Sequence, residues 1–267
     1  MIDTEIIFWT IAISVLGIAV GSFLNVVIFR TGAGESFTGR SKCRKCLEPV
    51  AAIDLIPVWS YFALKGRCRK CSSVIEWQYP VVEIAMGILF GLLFARATLG
   101  IGLPVFVEQS EWILLFVRDA IIAAFLVIIF VYDFKYSYIL DRFSVPAMIV
   151  ALIFNIALGA DALNILVGGF LIGGFFAFQF LISGGKWIGG GDIRMGLLMG
   201  FLLGIELGVV ALFISYVFGA IVGMLLIISK KRKFDSHVPF GTFMAFAIVI
   251  TMIWGSQMLE WYLGFFG

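Results

Sequence analysis

The run Ile121-Ile122-Ala123-Ala124-Phe125-Leu126-Val127-Ile128-Ile129-Phe130-Val131-Tyr132-Asp133 decides how this chain is read. It has no polar break until its last residue. An ionisable side chain at a membrane boundary is costly, so it points to function by default. A second aspartate recurs at Gly189-Gly190-Gly191-Asp192, after the apolar run 163–183 and a short polar tail. Two carboxyl groups brought to one side can share a single proton and activate a water for peptide hydrolysis.

Working outward, the chain of 267 residues is 62% hydrophobic and 13% charged, with a mean hydropathy of +1.09. Soluble domains are about half apolar and about a quarter charged. The excess covers nearly the whole length, and a spanning helix needs about 20 apolar residues. These values predict an all-α polytopic membrane protein of about eight transmembrane helices, at 6–29, 79–100, 112–132, 143–159, 162–183, 193–205, 206–229 and 239–264. The apolar stretch 195–229 is too long for one upright helix. Gly204 and Glu206 are read as the turn within it, with Glu206 in an outer loop. The run 6–28 has no preceding basic residue and no small-x-small cleavage site, so it is read as a retained first span. Three regions are expected: 1–29, a first transmembrane helix; 30–78, a small cytoplasmic loop module; and 79–267, a transmembrane core. No internal repeat is evident.

Charge orients the bundle. With the N-terminus outside, 17 of the 19 Lys and Arg residues fall in inner loops, and only Arg96 and Arg118 lie toward the outside. Such asymmetry is the usual mark of cytoplasmic loops. It also accounts for the basic stretch 30–78, so no nucleic-acid partner is expected. In this orientation Asp133, Asp192 and all the cysteines emerge on the cytoplasmic side.

The four cysteines form two identical pairs, Cys43-Arg44-Lys45-Cys46 and Cys68-Arg69-Lys70-Cys71, with 21 residues between them. That spacing suits a structural zinc site, and intervening Arg and Lys favour the thiolates. Four cysteine ligands close a site, which argues for structure and against metal catalysis. Bound zinc would supply folding energy to a loop too short to bury a core. The single histidine, His237, has no partner histidine, which excludes a zincin site. It is read as a surface residue.

Each aspartate also has a plainer reading. Asp133 could be a helix-end carboxylate beside Lys135. Asp141 competes with it, or caps the helix that starts near Phe143. Asp192 could act as an N-terminal cap, and the glycines before it permit close approach or positive φ. As a catalytic pair, one carboxylate takes a proton from the attacking water while the protonated partner polarises the scissile carbonyl.

Several stretches together resemble the type IV prepilin peptidases, bacterial intramembrane aspartic proteases. These are Gly21-Ser22-Phe23-Leu24-Asn25 through Arg30, the two cysteine pairs bracketing Ile56-Pro57-Val58-Trp59-Ser60-Tyr61, Tyr79-Pro80-Val81-Val82-Glu83, Gly189-Gly190-Gly191-Asp192-Ile193-Arg194-Met195, and Val238-Pro239-Phe240-Gly241. The resemblance covers nearly the whole chain. It implies that Asp133 and Asp192 are the catalytic pair and that the substrates are prepilins or pseudopilins. It implies cleavage at the cytoplasmic face of the bacterial inner membrane. Many members with a cysteine-bearing loop also methylate the new N-terminus with S-adenosylmethionine. No glycine motif in 30–78 assigns residues to that donor. The chain departs from the family pattern at Leu140, where proline is usual before Asp141, and at Gln78, Asp54 and Thr242.

Two other classes compete: a membrane N-methyltransferase without proteolysis, and a non-enzymatic adaptor in pilus or secretion assembly. A proton-coupled transporter would show paired repeats and midplane charges. A basic leader is expected to be steered by its hydrophobic helix and by the acids Glu35, Glu48, Asp54 and Glu76. Membrane lipid is the surrounding partner. Oligomeric state is not readable from the sequence.

Overall fold

The computed structural model describes residues 4–104, 106–229 and 239–265. His237 and the basic cluster 230–233 lie outside them. Eight α-helices are present among the described residues: α1 (Thr4–Ala33), α2 (Trp59–Ala63), α3 (Gln78–Leu99), α4 (Trp112–Tyr136), α5 (Asp141–Ala157), α6 (Ala162–Ser183), α7 (Gly190–Ile228) and α8 (Phe240–Leu263). Six are long and apolar enough to cross a membrane: α1, α3, α4, α6, α7 and α8. Their outer faces carry many of the 28 phenylalanines, such as Phe8, Phe170, Phe178 and Phe213. In water such faces would be penalised; in lipid they are matched to solvent.

The helix at the fourth expected span, α5, has 17 residues, and α7 is one 39-residue run. Gly204 breaks α7 with φ 75° and ψ −169°, a conformation essentially reserved for glycine. The break is a reversal. A Cβ on Gly208 would lie 3.7 Å from the Gly200 Cα, whereas eight residues of straight helix separate such atoms by about 12 Å. α7 is therefore a helical hairpin of 190–203 and 205–228, so that a helix stands at each of the eight expected positions. Glu206 is exposed just beyond the turn.

The chain forms two compact units, 1–95 and 96–267. In the first, α1 meets α3 through small residues. A Cβ on Gly17 would come 2.5 Å from the Met86 carbonyl oxygen, and one on Gly21 would come 2.8 Å from the Glu83 Cα. Such close backbone approach is the usual way to pack helices in lipid. Gln78 donates to Asn25 Oδ1 (3.2 Å), Asn25 donates to the Tyr79 carbonyl (3.1 Å), and Phe29 stacks on Tyr79 with ring centroids 4.7 Å apart.

In the second unit α4, α5, α7 and α8 form a closed circuit of contacts, with α6 packed on α7. Glycines again set the distances. Gly168 of α6 lies against the Gly204 backbone, and Gly196 lies against Phe176 and the Ile172 carbonyl. Both helix ends at the hairpin turn are capped by side-chain amides, one of them fully buried. Asn155 of α5 donates to the carbonyls of Phe201 (2.8 Å) and Leu202 (2.9 Å), and Asn164 of α6 accepts from the Ile205 N–H (2.8 Å). Asn155 accepts in turn from Arg118 (2.5 Å). Arg118 and Arg96 both pair with Asp119, at 2.7 and 3.1 Å. Arg96 and Arg118 are thus buried at the hairpin's turn end and not in loops. Their charges share one carboxylate in a dry setting, where unpaired charge would be very costly.

Candidate active site

Asp133 sits inside α4 and not beyond its end. The helix runs to Tyr136 and closes with Ser137 in the left-handed region, whose N–H donates to the Asp133 carbonyl (2.7 Å). The Asp133 side chain is only 4% exposed. Its Oδ2 accepts two hydrogen bonds from the first turn of α8, from the Thr242 N–H (2.7 Å) and the Thr242 hydroxyl (3.0 Å).

Asp192 lies in the first turn of α7 and is 7% exposed. Its Oδ2 accepts from the Gly189 N–H (2.9 Å), so it does cap its helix. None of Gly189, Gly190 and Gly191 adopts positive φ. Close approach explains Gly191 instead: a Cβ there would meet the Ile139 Cβ at 2.8 Å. The same Ile139 lies against Gly241, where a Cβ would come 2.5 Å from Ile139 Cδ1 and 3.0 Å from Asp133 Oδ2. One buried side chain therefore clamps the entrances of α7 and α8 beside the segment that follows Asp133.

Ile139 is thus a shared neighbour of Gly191, next to Asp192, and of Gly241, which lies against Asp133 Oδ2. Each carboxyl group is fixed through Oδ2, while none of the described hydrogen bonds engages Oδ1. Asp141 makes no capping bond; it forms an ion pair with Arg194, which ties the 137–141 turn to the helix of Asp192. Tyr216 packs on Phe240 at the start of α8, with ring centroids 5.0 Å apart, and its hydroxyl is hydrogen-bonded with Gln179 (3.0 Å). Sequence reading missed Ile139, Tyr216 and Gln179, and saw Thr242 only as a departure. A polar residue inside an apolar span was the available signal for Gln179.

In the first unit the four cysteine sulfurs all lie within 4.8 Å of one another and can hold a metal ion. Each pair sits in the same backbone turn. The Cys43 N–H donates to the Glu48 carbonyl and the Leu47 N–H to the Cys43 carbonyl; Cys68, Ser73 and Ser72 repeat this at equal spacing. Leu47 and Ser72 share positive φ, and the bridges Lys42–Pro49 and Arg67–Val74 flank the turns. The sequence thus holds a short structural repeat, contrary to the expectation of none. Backbone N–H groups at Cys46 and Lys45 hold the Cys43 thiol down to about 6, against burial. The Ser73 hydroxyl and N–H lower Cys71. Cys46 is lowered by the Glu48 N–H, but burial and the Cys43 and Cys71 sulfurs outweigh this and raise it to about 11. Four cysteine sulfurs this close together are a donor set that a divalent cation fits, binding them as thiolates.

Three of the four acids expected to steer a basic leader are already paired within the loop: Glu48 with Lys70 (2.9 Å), Asp54 with Arg69 (2.6 Å) and Glu76 with Arg44 (3.6 Å). This leaves Glu35 as the remaining candidate.

The architecture and its buried carboxylates define a polytopic helical membrane protein with intramembrane acidic groups. Comparison with known proteins narrows this. The family model "Bacterial Peptidase A24 N-terminal domain" matches residues 15–97, and "Type IV leader peptidase family" matches 120–224. A prepilin leader peptidase/N-methyltransferase of Neisseria gonorrhoeae is 30% identical over 251 residues, covering 83% of each chain. Those of Aeromonas salmonicida and Stutzerimonas stutzeri are each 28% identical, covering 91% and 94% of this chain and 90% and 92% of their own. No solved structure matches significantly. The chain belongs to the type IV leader peptidase family.

Proposed function

We propose that the chain is an aspartic endopeptidase that removes the basic leader of type IV prepilins or pseudopilins, with Asp133 and Asp192 as the catalytic pair. One carboxylate accepts a proton from water as that water attacks the scissile carbonyl, and its protonated partner hydrogen-bonds the carbonyl oxygen and then protonates the leaving amine. The observation that carries this reading is the convergence of α4, α7 and α8. Each of the two buried aspartates is held by one oxygen there, on helix ends that share Ile139 as a neighbour.

In this reading the site faces the cytoplasm of the bacterial inner membrane, the N-terminus lies outside, and loop 30–78 is a separate functional module. Its four cysteines fit zinc. Tetrahedral Zn–S bonds of about 2.3 Å require sulfurs about 3.8 Å apart, and Cys43 and Cys71 lie 3.8 Å apart. Zinc holds the two turns together and stays out of the chemistry.

The relatives' names include N-methyltransferase, and methylation of the new N-terminus by S-adenosylmethionine is the second activity proposed. The first unit contains a groove of about 1400 Å³ lined by Phe29, Tyr61 and Tyr79, by Lys and Arg side chains that pair with Glu48, Asp54 and Glu76, and by Glu35 and Glu83. Aromatic faces and carboxylates suit an adenosyl group, which when bound supplies the electrophilic methyl. Mass spectrometry of a co-expressed prepilin tests both activities, since it reads leader removal and N-methylation together. An intact leader would refute the first, and an unmethylated mature N-terminus the second.

A further inference from the structure

Glu83 stands in the second turn of α3, 5% exposed, on the wall of that groove. It accepts from the Val58 N–H at 2.6 Å. The other acids on the groove wall, except Glu35, are paired with Lys or Arg. Among the described residues Glu83 has no cationic partner. A carboxylate withdrawn from water without a counter-charge is costly.

The turn that holds it is strained. Val58 adopts φ 62° and ψ −56°, a genuine outlier for a β-branched residue. Such strain costs about 1–3 kcal/mol and persists only where its surroundings enforce it, often at functional sites. Here it aims the Val58 N–H at Glu83. This donor fixes the carboxylate without neutralising it.

We infer that Glu83 binds the free N-terminal amine of the processed peptide and takes the proton that this amine loses on methylation. This rests on the methyltransferase reading above. Depth favours a peptide amine over other cations. Glu83 lies inside a membrane-spanning helix near its loop end, where its backbone packs on Gly21 of α1. An amine at the start of a hydrophobic helix reaches that level, whereas a small hydrated cation gains nothing from being there. In the transfer, the amine nitrogen forms a C–N bond to the methyl group of a sulfonium donor. The donor's S–CH3 bond breaks with both electrons staying on sulfur. The proton leaving nitrogen passes to the Glu83 carboxylate and then to water.

The test uses the full chain in lipid nanodiscs and a synthetic product peptide with either a free or an acetylated N-terminus. Wild type should bind the free-amine peptide at least tenfold more tightly. Glu83→Gln keeps an acceptor for the Val58 N–H but loses the charge; it should bind both peptides alike, keep its full metal content, and yield at least 100-fold less N-methylated product. Equal binding of the two peptides by wild type would overturn the proposal. So would normal methylation by E83Q, or loss of metal from E83Q, which would make Glu83 a brace for the loop. If wild type preferred the free amine yet never methylated it, the methyltransferase reading would fail while the amine site stood.

Discussion

Thr242 gives both of its hydrogen-bond donors to one oxygen of Asp133. The N–H comes from the start of α8, so the residue that orients the carboxylate lies 109 positions away in sequence. Hydrogen bonds to charged groups contribute about 1.5–3 kcal/mol, and about 1.4 kcal/mol is tenfold in rate. Thr242→Val keeps the N–H but removes the hydroxyl, and should lower kcat for leader removal about 10–100-fold with little change in KM. Thr242→Ser should restore most of it. Steady-state cleavage of a purified prepilin in detergent checks both.

Gly241 should tolerate no side chain. In Gly241→Ala the new Cβ meets Ile139 and the Asp133 carboxylate, so the carboxylate or the clamp must move. A misplacement of about 1 Å can cost about 100-fold in rate. We expect a folded protein, by thermal melting, with cleavage reduced at least tenfold.

The hairpin turn can be tested apart from the chemistry. Asn155→Leu strands the Phe201 and Leu202 carbonyls and leaves Arg118 without one acceptor. Each unsatisfied buried group costs about 1–3 kcal/mol, so the melting temperature should fall by several degrees. The four-cysteine site should keep its metal, because Asn155 belongs to the other unit.

Much of this was legible in the sequence because lipid imposes simple rules. Apolar runs of about 20 residues had to be helices, and a helix stands at each of the eight expected positions with its ends shifted by a few residues, six helices being long and apolar enough to cross a membrane. Gly204 could be chosen as the turn because 35 apolar residues exceed one crossing. The cysteines announced themselves by spacing. The Asp119 ion pairs and the Asn155 and Asn164 caps were not legible, since they join residues far apart in sequence and depend on where the helices cross. Asn155, within an apolar span, was the available hint, because a buried amide there must have partners. The ion pairs of the loop were hidden for a related reason: composition shows charges but not which are already paired.

Metal removal gives a further outcome. Purified protein should carry one zinc per chain by elemental analysis. Cys43→Ser or Cys71→Ser, or a strong chelator, should release it and expose loop 34–77 to protease, because a loop of this size lacks a core of its own. Retention of metal by a double Cys43→Ser, Cys71→Ser variant would place the ion elsewhere.

The most direct test of the central claim is the initial rate of leader removal by Asp133→Asn and by Asp192→Asn, each purified with its metal content and melting temperature in hand. The amide keeps the shape and the Oδ2 acceptor but can neither take a proton from water nor give one to the leaving amine. We predict that either variant alone falls at least 1000-fold, in the range expected when one member of a catalytic unit is removed. Cleavage by either variant within tenfold of wild type would contradict the assignment.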